Sequence, residues 1–580
     1  MSGLLSRRDI DFLLHDWLKV EALADRETVD AILDLSEKLA ADTFLTHYKR
    51  GDVEEPRLDD AGQVHICPAI GEALTQYAEL GLFSAGFSER QGGLGLPYLV
   101  CAASFAFFAA ANVATAAYPM LTVANARLIA AFGTAAQFEA FARPEIEGRW
   151  FGTMCLSEPQ AGSSLADVRT RAVSDGEDAL GSRYRLTGNK MWISGGDQDV
   201  SENIVHLVLA KVPLTDGTLP EGTAGISLFI VPKFLPDGAR NDVAVAGLNH
   251  KMGYRGTANC LLNFGEQRGA TGWLVGAPGQ GLRQMFQMMN EARIGVGIGA
   301  AALGYRSYLL SAQYARERLQ GRPVGQRSGP PVAIIEHPDV RRMLLQQKVY
   351  AEGALALCLY CARLVDTAEH DADDAALLGL LTPVAKTWPS EYGLAANDIA
   401  IQIHGGYGYT RDFDVEQLWR DNRLNPIHEG TTGIQAIDLV GRKILQDGSG
   451  LPLLALRIMR SVKAARGVAG LEAHADALST AWQSVAATIE ALRCRESRTA
   501  FDNATPFLSA FGHVVLAWLW LDQAAAASAL DAGGEDFAGG KRHACRFFFE
   551  CELPKVDALL AFVASGSDVA AGAPPKMFLP

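Results

Sequence analysis

The chain has 580 residues, more than one hydrophobic core usually serves, so length alone calls for two to four domains. Apolar residues make up 49% and charged residues 20%, the balance of a soluble globular enzyme; 52 basic residues against 66 acidic ones give a formal charge of −14. That acidic balance without a local basic patch argues against nucleic acid as a partner, and nine cysteines without a repeating spacing argue against a disulfide framework.

At the N-terminus, charge resumes at Arg7 and Arg8, too soon for the apolar region of a secretory signal, so a reducing cytoplasm is expected. Residues 1–150 show helical apolar spacing and few β-branched runs, which predicts an N-terminal helical domain. Within it, 30–40 reads as an amphipathic helix with Ile32, Leu33, Leu35 and Leu39 on its apolar side. The glycine-rich stretch 88–97 has no strand before it and no G-x-G-x-x-G after it, so it reads as a turn rather than a dinucleotide loop. No charged residue falls in 98–126, but Asn112, Thr115, Pro119, Thr122 and Asn125 interrupt the run. Two helices buried inside the protein, not a membrane span, are therefore expected.

From 151 to 278 the character changes to short β-rich runs at 184–187, 191–194, 204–212 and 225–231, divided by turn signals, which predicts a small middle β domain. Helical spacing returns over 279–447, with the loop 320–331 set between two long helices. Cys358 and Cys361 follow an apolar run and lack a second ligand pair, so they read as buried helix; no metal site is expected. Over 448–580 the stretches 453–490 and 508–530 are rich in Ala and Leu at helical intervals, an additional helical domain, and 572–580 reads as an irregular tail.

One run carries chemistry. In Asn425-Pro426-Ile427-His428-Glu429-Gly430-Thr431-Thr432-Gly433-Ile434-Gln435-Ala436 a single carboxylate stands between a proline-led turn and a glycine, just before an apolar segment. A carboxylate pinned in an apolar pocket has its charged form disfavoured, so its pKa rises and it can take a proton from a weakly acidic carbon. Glu429 is the candidate base, and it is expected to be buried.

This run resembles the catalytic loop of the acyl-CoA dehydrogenases, in which the glutamate of Y/H-E-G-T removes the α-proton of an acyl thioester. Three more runs resemble motifs of that family, in its order. Ile401-Gln402-Ile403-His404-Gly405-Gly406-Tyr407-Gly408 is similar to its Q-I-x-G-G-x-G segment. Met154-Cys155-Leu156-Ser157-Glu158-Pro159-Gln160-Ala161-Gly162-Ser163 and Asn189-Lys190-Met191-Trp192-Ile193-Ser194-Gly195-Gly196 resemble its two flavin-binding signatures. The resemblance implies an α+β fold: an N-terminal helical domain, a middle β-barrel-like domain and a C-terminal four-helix bundle. The additional C-terminal helical domain resembles the larger bacterial members, which include the 3-methylmercaptopropionyl-CoA dehydrogenase type and tend to be dimers.

The activity implied is FAD-dependent α,β-dehydrogenation of an acyl-CoA to the trans-2-enoyl-CoA, with electrons passed to an electron-transfer flavoprotein. An acyl-CoA oxidase, or a flavin-loaded scaffold without turnover, would share the motifs; Glu429 and the hydroxyls at Ser157 and Ser194 speak against the scaffold. By the same resemblance, Met154, Leu156, Ser157, Trp192, Ser194 and Thr431 contact FAD. Arg318, Gln402, Gly405 and Gly406 reach the FAD of a neighbouring subunit, which implies a homo-oligomer, most simply a dimer. Ser163, Arg293 and His428 face the CoA substrate. Members that carry their base elsewhere have a glutamate immediately before the equivalent of Arg293; here Ala292 stands there, and Glu291 lies about 100° around a helix from it, so Glu429 keeps the role. Three positions depart from the family: His428 replaces the commoner tyrosine, Gly433 stands where glutamine is frequent, and Ser164 replaces an aspartate.

Overall fold

The computed structural model describes residues 3–496, 499–530 and 535–579. Two compact units emerge, one from Asp30–Ala292 and one from Met1–Val29 with Arg293–Pro580.

In the first unit, the expected amphipathic helix is found at Arg26–Leu39, with Leu33 and Leu39 buried. The uncharged run forms Tyr98–Phe132, which is helical except at Asn112 (φ −162°, ψ 91°). There the Asn112 amide donates to the Phe44 carbonyl (3.3 Å), and its oxygen accepts the Thr115 N–H (3.2 Å), capping a second helical segment. Two helices meeting at a break is the arrangement the polar interruptions predict. This helix and Ala504–Ala527 are both long and apolar enough to cross a membrane, yet their most apolar stretches are 89% and 83% buried inside the protein, as core helices are.

The middle of this unit is a β-barrel. Strands Ala270–Leu274, Ile226–Pro232, Asn203–Lys211, Arg171–Asp178 and Gly181–Ser194 pair in that order, and Ala270–Leu274 pairs back onto Gly181–Ser194 to close the ring. Trp150–Cys155 runs parallel to Asn203–Lys211, and Asn259–Phe264 with Val243–Leu248 extends the far end of Gly181–Ser194. The strands expected at 204–212 and 225–231 are there, buried throughout, and the two short runs at 184–187 and 191–194 are one strand.

The second unit is helical. Gly281–Glu317, Pro338–Thr367 and Ala372–His404 are its long helices, with the expected loop after the first. Close helix crossing explains one glycine pair: a Cβ on Gly393 would lie 2.5 Å from the Ala300 carbonyl oxygen, and one on Gly304 would lie 3.0 Å from the Gly393 Cα. Cys358 and Cys361 are buried on Pro338–Thr367, where burial pushes both thiols up, as a helix interior predicts.

The C-terminal region folds as Gly450–Ala465, Glu472–Arg493, Ala504–Ala527, Glu535–Phe547 and Lys555–Ser565. The stretch expected at 453–490 is thus two helices, and the tail contains one short turn, Pro575–Phe578. A buried charge cluster joins these helices to the rest of the unit. Lys541 Nζ meets Asp9 Oδ1 at 2.5 Å and Glu352 Oε2 at 3.0 Å, Lys348 pairs with the other oxygen of Glu352, and the Tyr305 hydroxyl donates to Asp9 (2.9 Å).

Candidate active site

The helix Val415–Asn422 ends in a tight loop that carries residues 423–431 before the helix Thr432–Ile437 begins at its cap, Thr431. Glu429 sits in this loop at φ 51°, followed by Gly430 at φ 87°. Two successive left-handed residues make the reversal; glycine adopts that conformation freely, while a glutamate does so at about 1–3 kcal/mol. Strain of this kind persists where the surroundings hold it, and here Gln435 Nε2 donates to the Glu429 carbonyl (2.9 Å) and the Thr432 N–H to the Pro426 carbonyl (3.2 Å).

The expectation of a buried carboxyl is corrected: Glu429 is exposed. Protein nevertheless crowds it enough that burial raises its pKa above the usual carboxylate value, with the positive charges of Lys386 and Arg293 pulling the other way. Glu429 is thus exposed while its surroundings disfavour its charged form.

Arg293 is expected to face substrate, but it is 4% exposed, and its Nη1 donates to Asp438 Oδ2 at 2.7 Å. Its charge is therefore shared with a buried carboxylate while still acting on Glu429. His428 is half-buried, its Nε2 2.9 Å from Asn425 Oδ1. Burial, then the nearby Lys386, lowers its pKa to about 3, so the ring is neutral. The Thr431 hydroxyl accepts the Ile434 N–H (3.4 Å) as the helix cap.

In the β unit the two flavin-like signatures lie side by side. The Met191 N–H donates to the Ser157 carbonyl (3.0 Å), and Lys190 Nζ donates to the Leu156 carbonyl (3.0 Å). Met154, Leu156 and Ser157 are half-buried at and just past the end of Trp150–Cys155. Trp192 stands at the register shift between Gly181–Ser194 and Asn259–Phe264, at φ 67° and 58% exposed. A strained tryptophan with an open face offers a platform for a flat ring. Ser194 accepts from the Asn259 amide (3.3 Å), and Ser163 is exposed on the loop after Trp150–Cys155.

Three of the remaining expected residues, Arg318, Gly405 and Gly406, line a groove of about 460 Å³ in the helical unit with Tyr314 and Tyr407 among others. Nothing lies within 4 Å of where a Cβ would stand on Gly405 or Gly406, so a ligand can approach the main chain there. The Arg318 guanidinium lies 5.6 Å from the centre of the Tyr407 ring, and among the described residues no carboxylate pairs with it. Gln402 is exposed on the last turn of Ala372–His404, outside this lining. An unpaired cation beside bare backbone is a setting that suits a pyrophosphate group, and in the β unit the open face of Trp192 suits a flat ring.

Sequence reasoning passed over several residues here. Lys386 is fully buried and its Nζ donates to the Asn425 carbonyl at 2.7 Å; a lone lysine inside the apolar stretch 377–388 is the signal that marks it. The buried pair Lys190–Glu158 (2.9 Å) underpins the signatures, and both residues lie inside the quoted motifs. Burial alone would raise Glu158, but Lys190 with donors from Thr170 and Arg169 holds it at about 2.

Four family models match in sequence order. They are "Acyl-CoA dehydrogenase, N-terminal domain" over residues 51–149, "middle domain" over 153–266, "C-terminal domain" over 279–445, and "Acetyl-CoA dehydrogenase C-terminal like" over 455–574. The chain is 36% identical to a 3-methylmercaptopropionyl-CoA dehydrogenase of Ruegeria pomeroyi, over 91% of this chain and 92% of the relative. It is 35% identical to the broad-specificity linear acyl-CoA dehydrogenase FadE5 of Mycobacterium tuberculosis, over 94% and 95%. Among solved structures, Caenorhabditis elegans ACDH-11 in complex with C11-CoA superposes with a TM-score of 0.76 at 20% identity, covering 94% of this chain and 93% of that one. An acyl-CoA dehydrogenase complexed with FAD from Bacillus anthracis gives 0.75 at 21%, covering 98% and 93%.

Proposed function

This chain belongs to the acyl-CoA dehydrogenase family, its activity is FAD-dependent dehydrogenation of an acyl-CoA, and on that premise we propose how its residues divide the work. Glu429 is the base that takes the α-proton of the thioester. The observation that carries this reading is its place on a clamped left-handed loop, accessible yet desolvated, with two cations acting on it. Desolvation strengthens the base, and the cations keep enough of it ionised to act. Bound FAD would supply the hydride acceptor for the β-carbon, so that loss of both hydrogens would give the trans-2-enoyl product.

Trp192 and the Met154, Leu156 and Ser157 segment hold the flavin, Ser194 and Thr431 add hydroxyl contacts, and Lys190 with Glu158 fixes the segment from beneath. Ser163, Arg293 and His428 border the substrate, Arg293 through its field rather than by an open contact. Arg318, Gly405, Gly406 and Gln402 receive the FAD of a second copy, so the working unit is a homodimer; sedimentation as a monomer in the flavin-loaded state would remove that assignment. Electrons leave to an electron-transfer flavoprotein, and the reducing cytoplasm is the compartment that nine free cysteines suit.

Glu429→Gln tests the central claim. It keeps the shape of the side chain and removes the base, so flavin content and acyl-CoA binding should stay while kcat falls by roughly 10²–10⁴-fold. Near-normal turnover in this variant would move the proton elsewhere.

A further inference from the structure

Beneath the catalytic loop runs a chain of buried amides. Asn397 Nδ2 donates to Ser307 Oγ (2.6 Å), Asn422 Nδ2 to Asn397 Oδ1 (2.6 Å) and Asn425 Nδ2 to Asn422 Oδ1 (2.8 Å). Asn425 Oδ1 then meets His428 (2.9 Å), and the Asn425 carbonyl accepts from Lys386 (2.7 Å). Ser307, Asn397, Asn422 and Asn425 are each 0% exposed. The chain ties the helices Gly281–Glu317, Ala372–His404 and Val415–Asn422 to the residues just before the base, and Lys386 is its only cationic member.

The charges around Glu429 differ in how they are balanced. Arg293 pairs with Asp438 at 2.7 Å, a carboxylate it shares with Arg442 at 2.9 Å, whereas among the described residues no carboxylate pairs with Lys386. Its ammonium meets a carbonyl oxygen, and its positive charge acts on Glu429 and Glu391. Glu391 is itself exposed and accepts the Thr432 hydroxyl, so solvent screens it. His428 is neutral and offers no opposing charge.

Resting on the assignment of Glu429 as the base, we propose that Lys386 is its positioning residue. The ammonium anchors the head of the loop through the Asn425 carbonyl and keeps beside Glu429 a positive charge that favours the carboxylate form. Desolvation raises the pKa of Glu429 and the charge of Lys386 opposes that rise, which matters because a protonated carboxyl cannot accept the α-proton. Lys386 makes no approach to substrate, because it is fully buried. Its own titration matters as well: burial, and secondarily the charge of Arg293, lowers its pKa to about 8 against the pull of Glu429 and Glu391. The charge it lends is thus present at neutral pH and lost as pH rises through about 8.

The test is the pH profile of kcat/KM for Lys386→Met and Lys386→Arg, using the straight-chain acyl-CoA that the wild-type chain oxidises fastest. In Lys386→Met the acid limb should move up, since losing a positive charge that favours the carboxylate raises the pKa of Glu429. Lys386→Arg should return the limb to its wild-type place and remove the wild-type step near pH 8, because a guanidinium does not titrate there. Flavin content and melting temperature show whether each variant is folded. If Lys386→Met fails to accumulate with flavin, the step near pH 8 in Lys386→Arg decides alone. An unmoved acid limb in a folded Lys386→Met, or a step that persists in Lys386→Arg, overturns the proposal. Glu429→Gln separates the two readings: if it is silent while the limb does not move, only the role of Lys386 falls, and if it turns over, the base assignment falls first.

Discussion

Lys541→Met is predicted to destabilise the helical unit strongly, and the structure allows the size to be worked out. Lys541 is 1% exposed and lies between Asp9 and Glu352, themselves 1% and 3% exposed. Lys348 also pairs with Glu352, so two ammoniums balance two carboxylates. Removing one ammonium leaves one buried negative charge without a partner, at about 3–5 kcal/mol. The Gln523 oxygen loses its donor, and the Phe12 and Trp520 rings, centred 5.4 and 5.3 Å from Nζ, lose a cation. At about 2–4 °C per kcal/mol for large domains, melting should fall by roughly 6–20 °C, toward the lower end for a chain of this length. The deficit should depend on pH in a defined direction. Burial already raises Asp9 against the pull of Lys541, so without Lys541 it rises further. A carboxyl whose folded pKa lies above its unfolded one favours the folded state at low pH and disfavours it as pH rises, so the variant should close on the wild type toward pH ~5 and fall furthest behind at neutral pH. Adding Asp9→Asn should recover part of the loss by removing the unmatched acid, since Glu352 keeps Lys348. Circular dichroism melts at several pH values read this out. A Lys541→Met chain within ~2 °C of wild type at neutral pH, against the several degrees that one unmatched buried charge implies, would refute the reasoning.

Two further outcomes follow from the site. Arg318→Ala should weaken FAD binding by about 10–100-fold, the worth of one charge-assisted contact to a phosphate, with little change in the melt of the flavin-free chain; fluorescence titration of apoprotein with FAD measures it, and unchanged affinity would detach the groove from the cofactor. The wild-type pH profile should show no step at the ordinary histidine value, because His428 is held neutral down to about 3, and His428→Gln should leave the acid limb where it is. A limb that moves with His428→Gln would make that ring a titrating partner of the base.

The sequence was readable where burial is uniform and opaque where it is divided. The run at 204–212 reads as a strand because every residue of Asn203–Lys211 is buried, so its apolar character is continuous. Arg171–Asp178 is mostly exposed and carries Arg, Ser, Asp and Glu, so nothing in its composition separates it from a loop, and it is a strand only because barrel neighbours pair with it. The short strands Val243–Leu248 and Ala270–Leu274 offer too few residues for a period to show. Asn112 was legible as an interruption because an amide in an apolar run must find partners. The Lys541 cluster was not, since Asp9, Glu352 and Lys541 come from segments far apart in the chain and only tertiary packing makes them one group.

The same division explains why motif reading could single out Glu429 yet misjudge its exposure. A motif fixes backbone: Gly430 is required twice over, for its φ of 87° and because a Cβ there would lie 2.6 Å from the Gln435 amide that clamps the base. Sequence reasoning inferred a buried acid from the apolar residues around it, but burial of a loop and burial of the side chain it presents are separate properties. The clamp spends its hydrogen bonds on the Glu429 main chain and on Asn425, which leaves the carboxylate itself without a ligand in the loop and open to a proton. A base held by its own hydrogen bonds would be weakened by them. Holding the backbone under strain and balancing the side chain between desolvation and remote cations gives a carboxylate that is fixed in place, accessible, and still basic.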